Sequence, residues 1–202
     1  GISQSDFLLP VVNDSGKWGY IDTQGALIIR HQYDQAYAFT EGRGLVAITL
    51  NGNFVYSFVD AKGTIFGNWM YVQAEPFQNG YARVEFYIDI LNTAWGYLDK
   101  NGNISPPLAI SDSRSFSEGY AAVKKLGGWG FINKRFKDAI KAQYDATGMF
   151  SEGLCAVALG TDSLQRWGYI NALGQQITPM KYLQAGKFSN HLARVQILTE
   201  TT

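Results

Sequence analysis

The sequence predicts an all-β protein made of five tandem repeats of about 38 residues, each with about three antiparallel strands. Two short motifs recur along the 202 residues at a constant distance, and turn sequences follow the first of them. The composition agrees, because 12 Tyr, 12 Phe and 22 Gly against five Pro are typical of strands joined by tight turns. A hydrophobic content of 46% is sufficient for a buried core.

The first motif is Trp-Gly followed by an aromatic residue, an aliphatic residue and Asp or Asn. Side chains along a strand point alternately to its two faces, and both faces of this motif are apolar, so we expect a strand buried on both sides. The Gly predicts a close approach by another backbone. The copies begin at Trp18, Tyr56, Trp95, Trp129 and Trp167, and the second copy is degenerate because it reads Tyr-Ser-Phe-Val-Asp.

The second motif begins with Phe, usually carries Gly three residues later, and continues through a small residue to Val. Its distance from the first motif is always 21 residues, for example from position 18 to position 39, and the copies start at Phe39, Phe77, Phe116, Phe150 and Phe188. The repeat length varies from 34 to 39 residues, and all of this variation falls between a Val and the next Trp position. Loops tolerate length changes better than packed elements do, so we expect a surface loop there. Residues that alternate with the Val, such as Arg83 and Arg194, are expected to face solvent.

Turn sequences follow the first motif in most repeats. The segment 22–25 has Asp first and Gly fourth, as type I turns prefer, and the turns that begin at Asp60, Asp99 and Asn171 are similar. The carboxylate or amide oxygen is expected to accept N–H groups of its own turn. The fourth repeat has Phe136 in place of the Gly, so we expect a different turn there.

The arrangement of the repeats has two possible solutions. Repeats of this length need neighbours to bury their apolar faces, which an open array of stacked three-stranded units or a closed five-bladed propeller would provide. The segment from Leu8 to Val12 is expected to be an extra Val-type strand that pairs with the first Trp strand. The chain would then have one Val-type strand more than a strictly repeating ring needs, which favours the open array, with the propeller as the alternative. We expect the array to form a single domain over residues 1–202.

Charge and cysteine content restrict the function. A formal net charge of +0 with 17% charged residues argues against nucleic-acid and membrane-surface partners, and no apolar stretch is long enough to span a bilayer. The single cysteine, Cys155, excludes an intrachain disulfide and occupies a small-residue position, which indicates a packed apolar side chain. The two histidines, His31 and His191, lie in different repeats without a motif around them. We therefore expect no catalytic residues, no metal site and no cofactor.

The repeat resembles a known family. The segment 17–22, followed by Tyr33-Asp34 and then by residues 39–42, closely resembles the bacterial WG repeat, also called the KWG repeat, and the resemblance extends from Trp18 to Val195. Departures from the pattern are the Tyr-Ser pair at 56–57, Phe136, and His191 in a Gly position. The resemblance implies a bacterial β-repeat protein of poorly defined function that mediates binding. Such proteins are often exported or cell-associated, which implies the periplasm or the cell surface, and the family has no catalytic residues to transfer.

These observations favour a non-catalytic binding or scaffold module whose partner is an unknown protein or surface. The alternative is a carbohydrate-binding module, which would require a row of exposed aromatic residues, and an enzyme would require a cleft with convergent titratable groups. Function is most easily placed where the repeat is broken, so the candidate binding residues are Trp69, which lies outside the regular Trp positions, and Phe86 and Tyr87 in the apolar segment 85–92. The alternative for Phe86 and Ile88 is that they only extend a longer hairpin.

Overall fold

A computed structural model describes residues 7–106 and 108–197 of the chain, with only the backbone of residues 68 and 69 described in their strand. The chain divides into two compact units, Gly1–Leu108 and Ala109–Thr202. Each unit is described by itself below. The single domain over residues 1–202 stays a prediction.

Unit 1 consists, in its described part, of strands and the turns between them. The strands are β1 (Leu9–Val12), β2 (Trp18–Ile21), β3 (Leu27–Tyr33), β4 (Gln35–Ala36), β5 (Gly44–Leu50), β6 (Asn53–Val59), β7 (Ile65–Ala74), β8 (Tyr81–Tyr87) and β9 (Thr93–Asp99). They form a three-stranded sheet in the order β1-β2-β3 and a six-stranded sheet in the order β4 to β9.

Unit 2 also consists mainly of short strands over its described residues. Its strands are β10 (Asp112–Ser113), β11 (Tyr120–Lys125), β12 (Gly128–Asn133), β13 (Asp138–Tyr144), β14 (Ala146–Thr147), β15 (Leu154–Leu159), β16 (Arg166–Asn171), β17 (Gln184–Ala185) and β18 (Val195–Gln196). They form sheets in the orders β10-β11-β12-β13, β14-β15-β16 and β17-β18. Among the described residues every neighbouring pair is antiparallel and no sheet closes into a barrel, so the predicted all-β repeat array is confirmed.

Strand pairing joins consecutive repeats. The Val-type strand of one repeat pairs with the Trp strand of the next, and the Val always lies opposite the residue that follows the Trp. The pairs are Val46 with Ser57, Val84 with Gly96, Val123 with Gly130 and Val157 with Gly168. The predicted extra strand near the N-terminus is confirmed, because β1 pairs with β2 and places Val11 opposite Gly19.

The glycine of the Trp-Gly pair is where the next strand comes closest, as predicted. A Cβ atom on Gly19 would lie 2.4 Å from the carbonyl oxygen of Ile29, and one on Gly130 would lie 2.6 Å from the carbonyl oxygen of Ile140. In both places the register of the strand pair shifts, so that extra residues of the second strand bulge towards the glycine. At these two positions a side chain would therefore meet backbone atoms of the second strand, whereas the second repeat accommodates the small side chain of Ser57 at a register shift between Tyr56 and Phe58.

The aromatic residue two positions after the Trp forms the centre of each repeat's core. These residues are Tyr20, Phe58, Tyr97, Phe131 and Tyr169, and all are buried. At least four of them contact the Phe of the second motif edge-on, with ring centroids 4.9–5.1 Å apart. The pairs are Tyr20 with Phe39, Phe58 with Phe77, Phe131 with Phe150 and Tyr169 with Phe188. Full burial of one such side chain stabilises the fold by about 1.5–3 kcal/mol, which makes this position a principal source of stability.

The prediction that one face of the Val-type strand is wet holds for Arg194, which is exposed, but it is wrong for β5 and for Arg83. In β5, Val46 packs into a hydrophobic cluster with Tyr20, whereas the neighbouring Leu45 packs into a different cluster with Phe58. The strand lies between two cores, so both of its faces are covered. The Arg83 side chain, which was expected to face solvent, is only 12% exposed.

The Asp-x-x-Gly turns have the predicted form. In the first, the N–H of Gly25 donates to the carbonyl oxygen of Asp22 over 3.1 Å, and the Asp22 carboxylate accepts the N–H groups of Gln24 and Ala26. The expectation of a different turn at Phe136 is wrong. Its N–H donates to the carbonyl oxygen of Asn133 over 2.9 Å, and Phe136 itself adopts the left-handed conformation, with φ of 58°.

The segments of variable length are hairpin loops, as predicted. The β5–β6 hairpin turns on Asn51-Gly52, where φ is positive at both residues, which is typical of a type I′ turn. The β8–β9 hairpin turns over residues 88–92, and the β15–β16 connection contains a short 3₁₀ turn at Asp162–Leu164.

The first and second repeats differ in how the chain passes from one sheet to the next. In the first repeat, the chain bends after Tyr33 and enters the next sheet as β4, whereas in the second repeat the single strand β7 takes the places of both β3 and β4.

Candidate functional site

The tip of the β8–β9 hairpin presents apolar side chains on a well-bonded turn. The Asp89 carboxylate accepts the N–H groups of Leu91 and Asn92 at 2.8 and 2.9 Å, and the Asn92 amide also donates to it. These hydrogen bonds hold the pKa of Asp89 below its usual value. The Ile88 N–H closes the loop by donating to the carbonyl oxygen of Asn92 over 3.0 Å. The turn leaves the Ile90 and Leu91 side chains 92% and 84% exposed.

A groove of about 730 Å³ lies beside this tip, across β6, β7 and the end of β8. Its apolar wall includes Leu50, Phe54, Met70 and Tyr87, all of which are exposed. The amide side chains of Asn51, Asn53 and Gln73 contribute the polar part of the lining. We call this groove, together with residues 87–91 of the hairpin tip, the unit 1 surface.

The predicted binding residues have three different placements. Tyr87 is exposed and lines the groove. Phe86 points the other way and packs against the core, with a ring atom 2.9 Å from where a Cβ of Gly96 would lie. Phe86 and Tyr87 both belong to β8 and pair with β9, so the loop is shorter than the segment 85–92. The longer-hairpin alternative therefore holds for Phe86, whereas Ile88 lies beyond the end of β8 and is exposed. Trp69 lies in β7, and its side chain is outside the described residues.

Sequence reasoning missed Leu50, Phe54 and Met70. The available signal was the Asn51-Gly52 pair, which predicts a hairpin in which Leu50 and Asn53 are adjacent across the turn. The pairing of Leu50 with Asn53 in the structure follows this rule. Met70 lines the same groove because of the path that β7 takes through the six-stranded sheet, and no local sequence pattern predicts that path.

The tryptophans of the repeat are packed residues and do not form an exposed row. Trp129 is buried, and Trp18, Trp95 and Trp167 are half-buried. The Arg83 guanidinium lies over the Trp95 ring, 3.6 Å from its centroid, and also bonds to the Glu75 carboxylate over 2.6 Å. This contact covers the ring face that a sugar would otherwise stack on.

The titratable groups of unit 2 are arranged for packing. Cys155 is buried, and burial raises the pKa of its thiol to about 11, so the sulfur is protonated at neutral pH. The Thr147 hydroxyl lies 3.6 Å from this sulfur. Within the described ranges, no group of three or more His, Cys, Asp or Glu residues is placed to hold a metal ion. The same ranges contain no helix long and apolar enough to cross a membrane.

Comparison with protein families assigns the repeats. The family model described as "WG containing repeat" matches residues 18–54, 95–128, 129–160 and 167–197, which together make up more than half of the chain. The chain belongs to the WG-repeat family. No curated protein matches it.

The unmatched stretch between the first two WG-repeat segments still has the WG-repeat structure. Strands β6 and β7 pair in it as β2 and β3 do in the first repeat. The degenerate second repeat is therefore present as a structural unit despite Ser57 in the Gly position, which gives five repeats in all. Met70, Gln73 and Tyr87 of the unit 1 surface all fall in this stretch. The candidate site therefore lies largely where the WG sequence pattern is weakest.

Proposed function

We propose that this WG-repeat chain is a non-catalytic protein-binding module and that the unit 1 surface is its contact surface. The observation that supports it is the pair Ile90 and Leu91, which a hydrogen-bonded turn presents almost fully to solvent. Exposed apolar side chains contribute nothing to the stability of the monomer, but a protein partner that buries one gains about 1.5–3 kcal/mol. Tyr87 beside them has the aromatic character that is enriched at energetic centres of interfaces.

The test compares matched hairpin variants of the full chain. Ile90→Ser combined with Leu91→Ser removes the apolar tip, and Leu126→Ser is the control, because Leu126 is a fully exposed leucine in the β11–β12 turn. Immobilised proteins are incubated with extract from the source cells, and the captured proteins are quantified by mass spectrometry. We expect a set of proteins retained by the wild type and by Leu126→Ser but reduced at least about tenfold by the double variant. Equal capture by all three proteins would contradict the proposal.

Carbohydrate binding is the second candidate, and the composition of the groove supports it. Asn51, Asn53 and Gln73 offer amide hydrogen bonds beside the exposed rings of Phe54 and Tyr87, and sugars are held by this combination of side chains. A glycan array probed with the wild type and with Tyr87→Ala separates the candidates. A glycan signal that Tyr87→Ala abolishes and that Ile90→Ser with Leu91→Ser retains would assign the groove to sugars instead of proteins.

A further inference from the structure

The two units of the chain carry opposite charge. Residues 109–202 contain 11 Lys and Arg against seven Asp and Glu, whereas residues 1–108 contain six against ten. The formal net charge of +0 for the whole chain therefore conceals a basic unit 2. Six of its basic residues fall within the segment 124–141, which contains one acidic residue, Asp138. Such a local excess of positive charge attracts ligands of negative charge.

The β12–β13 turn carries most of this charge. It contains Lys134, Arg135 and Lys137, all of which are exposed. The corresponding turns of the other four repeats contain at most one basic residue each, and three of them begin with Asp where this turn begins with Asn133. The turn nevertheless forms the same two backbone hydrogen bonds as the turn at 22–26. The fold of the repeat therefore does not require the three cations.

A hollow of about 340 Å³ lies beside this turn, where the start of β11 pairs with the end of β12. Its lining includes the half-buried ring of Tyr120 and the amide of Asn133, together with the charged side chains of Lys134 and Arg135. The volume is near the lower end of the range for small-molecule sites. An aromatic ring, an amide and two cations around a hollow of this size suit one sugar ring with a negatively charged substituent.

The two carboxylates near the turn already have partners. Glu118 lines the hollow, but its oxygens accept the N–H groups of residues 152 and 153, at 2.7 and 2.9 Å. Asp138 follows the turn and accepts a hydrogen bond from the Lys125 ammonium group. The three cations of the turn therefore dominate the charge at the hollow.

The positive charge continues from the turn along β13. Lys141 is exposed, whereas Ile140 and Tyr144 of the same strand are buried. A strand rises about 3.3 Å per residue, so the Cα atoms of Lys137 and Lys141 lie at most about 13 Å apart. We call Lys134, Arg135, Lys137 and Lys141 the basic strip. The strip extends beyond the hollow, so it suits a polymer with repeated negative charges better than a single small anion.

The side chains around the strip favour a polysaccharide over other polyanions. Proteins that bind single-stranded nucleic acids stack the bases on exposed aromatic rings, but Phe136 is half-buried and its ring lies edge-on to the Phe116 ring. Peptide partners are usually anchored by a large apolar side chain in an apolar pocket, but the described lining of the hollow contains no aliphatic side chain. Acidic polysaccharides need only the ring, the amide and the cations that are present.

We propose that the hollow and the basic strip form a binding site for an acidic polysaccharide. One sugar ring occupies the hollow, and further carboxylate or sulfate groups of the polymer lie along the strip. The site belongs to unit 2 and does not depend on the unit 1 surface, so it goes beyond the proposed protein-binding function.

The experiment measures binding of the full chain to immobilised polysaccharides by biolayer interferometry. The probes are polygalacturonate, which carries carboxylates, and heparin, which carries sulfates, with neutral dextran, poly-L-glutamate and random single-stranded DNA as controls. We expect saturable binding to at least one acidic polysaccharide, no binding to dextran, and weaker binding to the other two polyanions. Raising the NaCl concentration from about 0.05 to 0.5 M should weaken the binding, because salt screens exposed charges.

Matched charge variants locate the site. Lys134→Gln with Arg135→Gln removes the two cations of the hollow and should weaken binding about tenfold. The control is Lys181→Gln with Lys187→Gln, which removes the same charge from exposed positions of unit 2 outside the strip. The control should change the affinity less than about twofold, because it alters only the net charge of the unit.

A third variant tests the hollow without removing a cation. Asn133→Asp introduces the residue that begins three of the other turns, so the turn should form and the midpoint of urea denaturation should stay unchanged. The new carboxylate should weaken polysaccharide binding several-fold by repulsion. Ile90→Ser with Leu91→Ser should leave this affinity unchanged, which separates the site from the proposed function.

Three results would overturn the proposal. The first is that neither acidic polysaccharide binds. The second is equal weakening by the two double lysine and arginine variants, which would assign the binding to net charge alone. The third is that polyglutamate or DNA binds as tightly as the polysaccharides, which would mean that the strip attracts any polyanion and does not recognise sugar.

Discussion

Glycine in the Trp-Gly pair is required by the backbone of the second strand. In the fourth repeat, a Cβ on Gly130 would lie 2.6 Å from both the amide nitrogen of Ala142 and the carbonyl oxygen of Ile140. Backbone atoms cannot move aside without breaking the β12–β13 pairing, in contrast to the end of a flexible side chain. The Trp is the conspicuous residue of the motif in the sequence, but in this repeat the glycine is the residue that the backbone of the second strand constrains most closely.

We predict that Gly130→Ala destabilises the protein whereas Gly148→Ala in the same unit does not. A Cβ on Gly148 would have no heavy atom closer than 3.7 Å, which is an ordinary contact. Gly130→Ala should lower the free energy of unfolding by about 1–3 kcal/mol, in the range of overpacked core substitutions. Gly148→Ala should change it by less than about 0.5 kcal/mol or raise it slightly, because alanine restricts the unfolded chain. Urea denaturation of the full-length proteins measures both, and similar losses would contradict the steric argument.

Phe136 shows why turn geometry is only partly predictable from residue type. The absence of Gly suggested a different turn, yet the same two backbone hydrogen bonds form between Asn133 and residues 136–137. The Phe136 ring lies 6.4 Å from the Phe116 ring, in an edge-on arrangement. This contact offsets part of the cost of a positive φ, and it depends on a residue 20 positions away in the chain.

At the scale of elements, the turns of consecutive repeats are linked by carboxylates. Glu118 accepts the N–H groups of Glu152 and Gly153, at 2.7 and 2.9 Å, and Glu152 in turn accepts the N–H of His191 at 2.8 Å. In unit 1, Glu41 accepts the N–H of Gly80 at 3.0 Å. Each glutamate is the first central residue of the tight turn that follows the Phe of the second motif, and its own φ angle is positive. The sequence places these glutamates at equivalent positions, but only the structure shows that each reaches the turn of the following repeat.

We predict that Glu118→Gln weakens the link between the third and fourth repeats. Glutamine has one acceptor oxygen, so one of the two N–H donors would face an NH₂ group. Bonds to a charged acceptor contribute more than neutral ones, but this turn is solvent-exposed, so we expect a loss of about 1 kcal/mol in the free energy of unfolding. The control is Asp162→Asn, which removes a carboxylate of unit 2 that accepts no hydrogen bond within the described residues. An equal effect of the two substitutions in urea denaturation would assign the loss to net charge.

The repeated elements were predictable from sequence because each is specified locally and several times. The Trp strands, the Asp-x-x-Gly turns and the hairpin loops all follow from patterns within about ten residues. The unit 1 surface was predictable only at Tyr87, where the repeat is visibly broken. Leu50 and Met70 belong to ordinary strands, and their meeting depends on the path of β7 across the six-stranded sheet. The wet face expected for the Val-type strand is absent from β5 for the same reason, because the second covering core belongs to the following repeat.

For the molecule as a whole, the division into two units follows the sheets. All strands of the six-stranded sheet lie before Leu108, and all strands of the three sheets of unit 2 lie after it. Each unit also contains its own hydrophobic clusters, around Phe58 and Tyr20 in unit 1 and around Phe131 in unit 2. A cut between residues 108 and 109 therefore leaves whole each strand ladder and hydrophobic cluster of the described residues, although it falls within the third repeat of the sequence.

We predict that residues 1–108 and 109–202 each fold when expressed alone. Each fragment should show a β-type circular dichroism spectrum and a cooperative thermal transition, because it keeps its strand ladders and hydrophobic clusters over the described residues. The control is a cut between Ile90 and Leu91, which separates β8 from β9 and exposes the buried residues Val84 and Leu98. The N-terminal fragment of that pair should be unfolded or aggregated. If the 108/109 fragments are also unfolded, the prediction is wrong. The two units would then not fold independently, and the stability of the chain would depend on contacts among all five repeats, as in a cooperative repeat array.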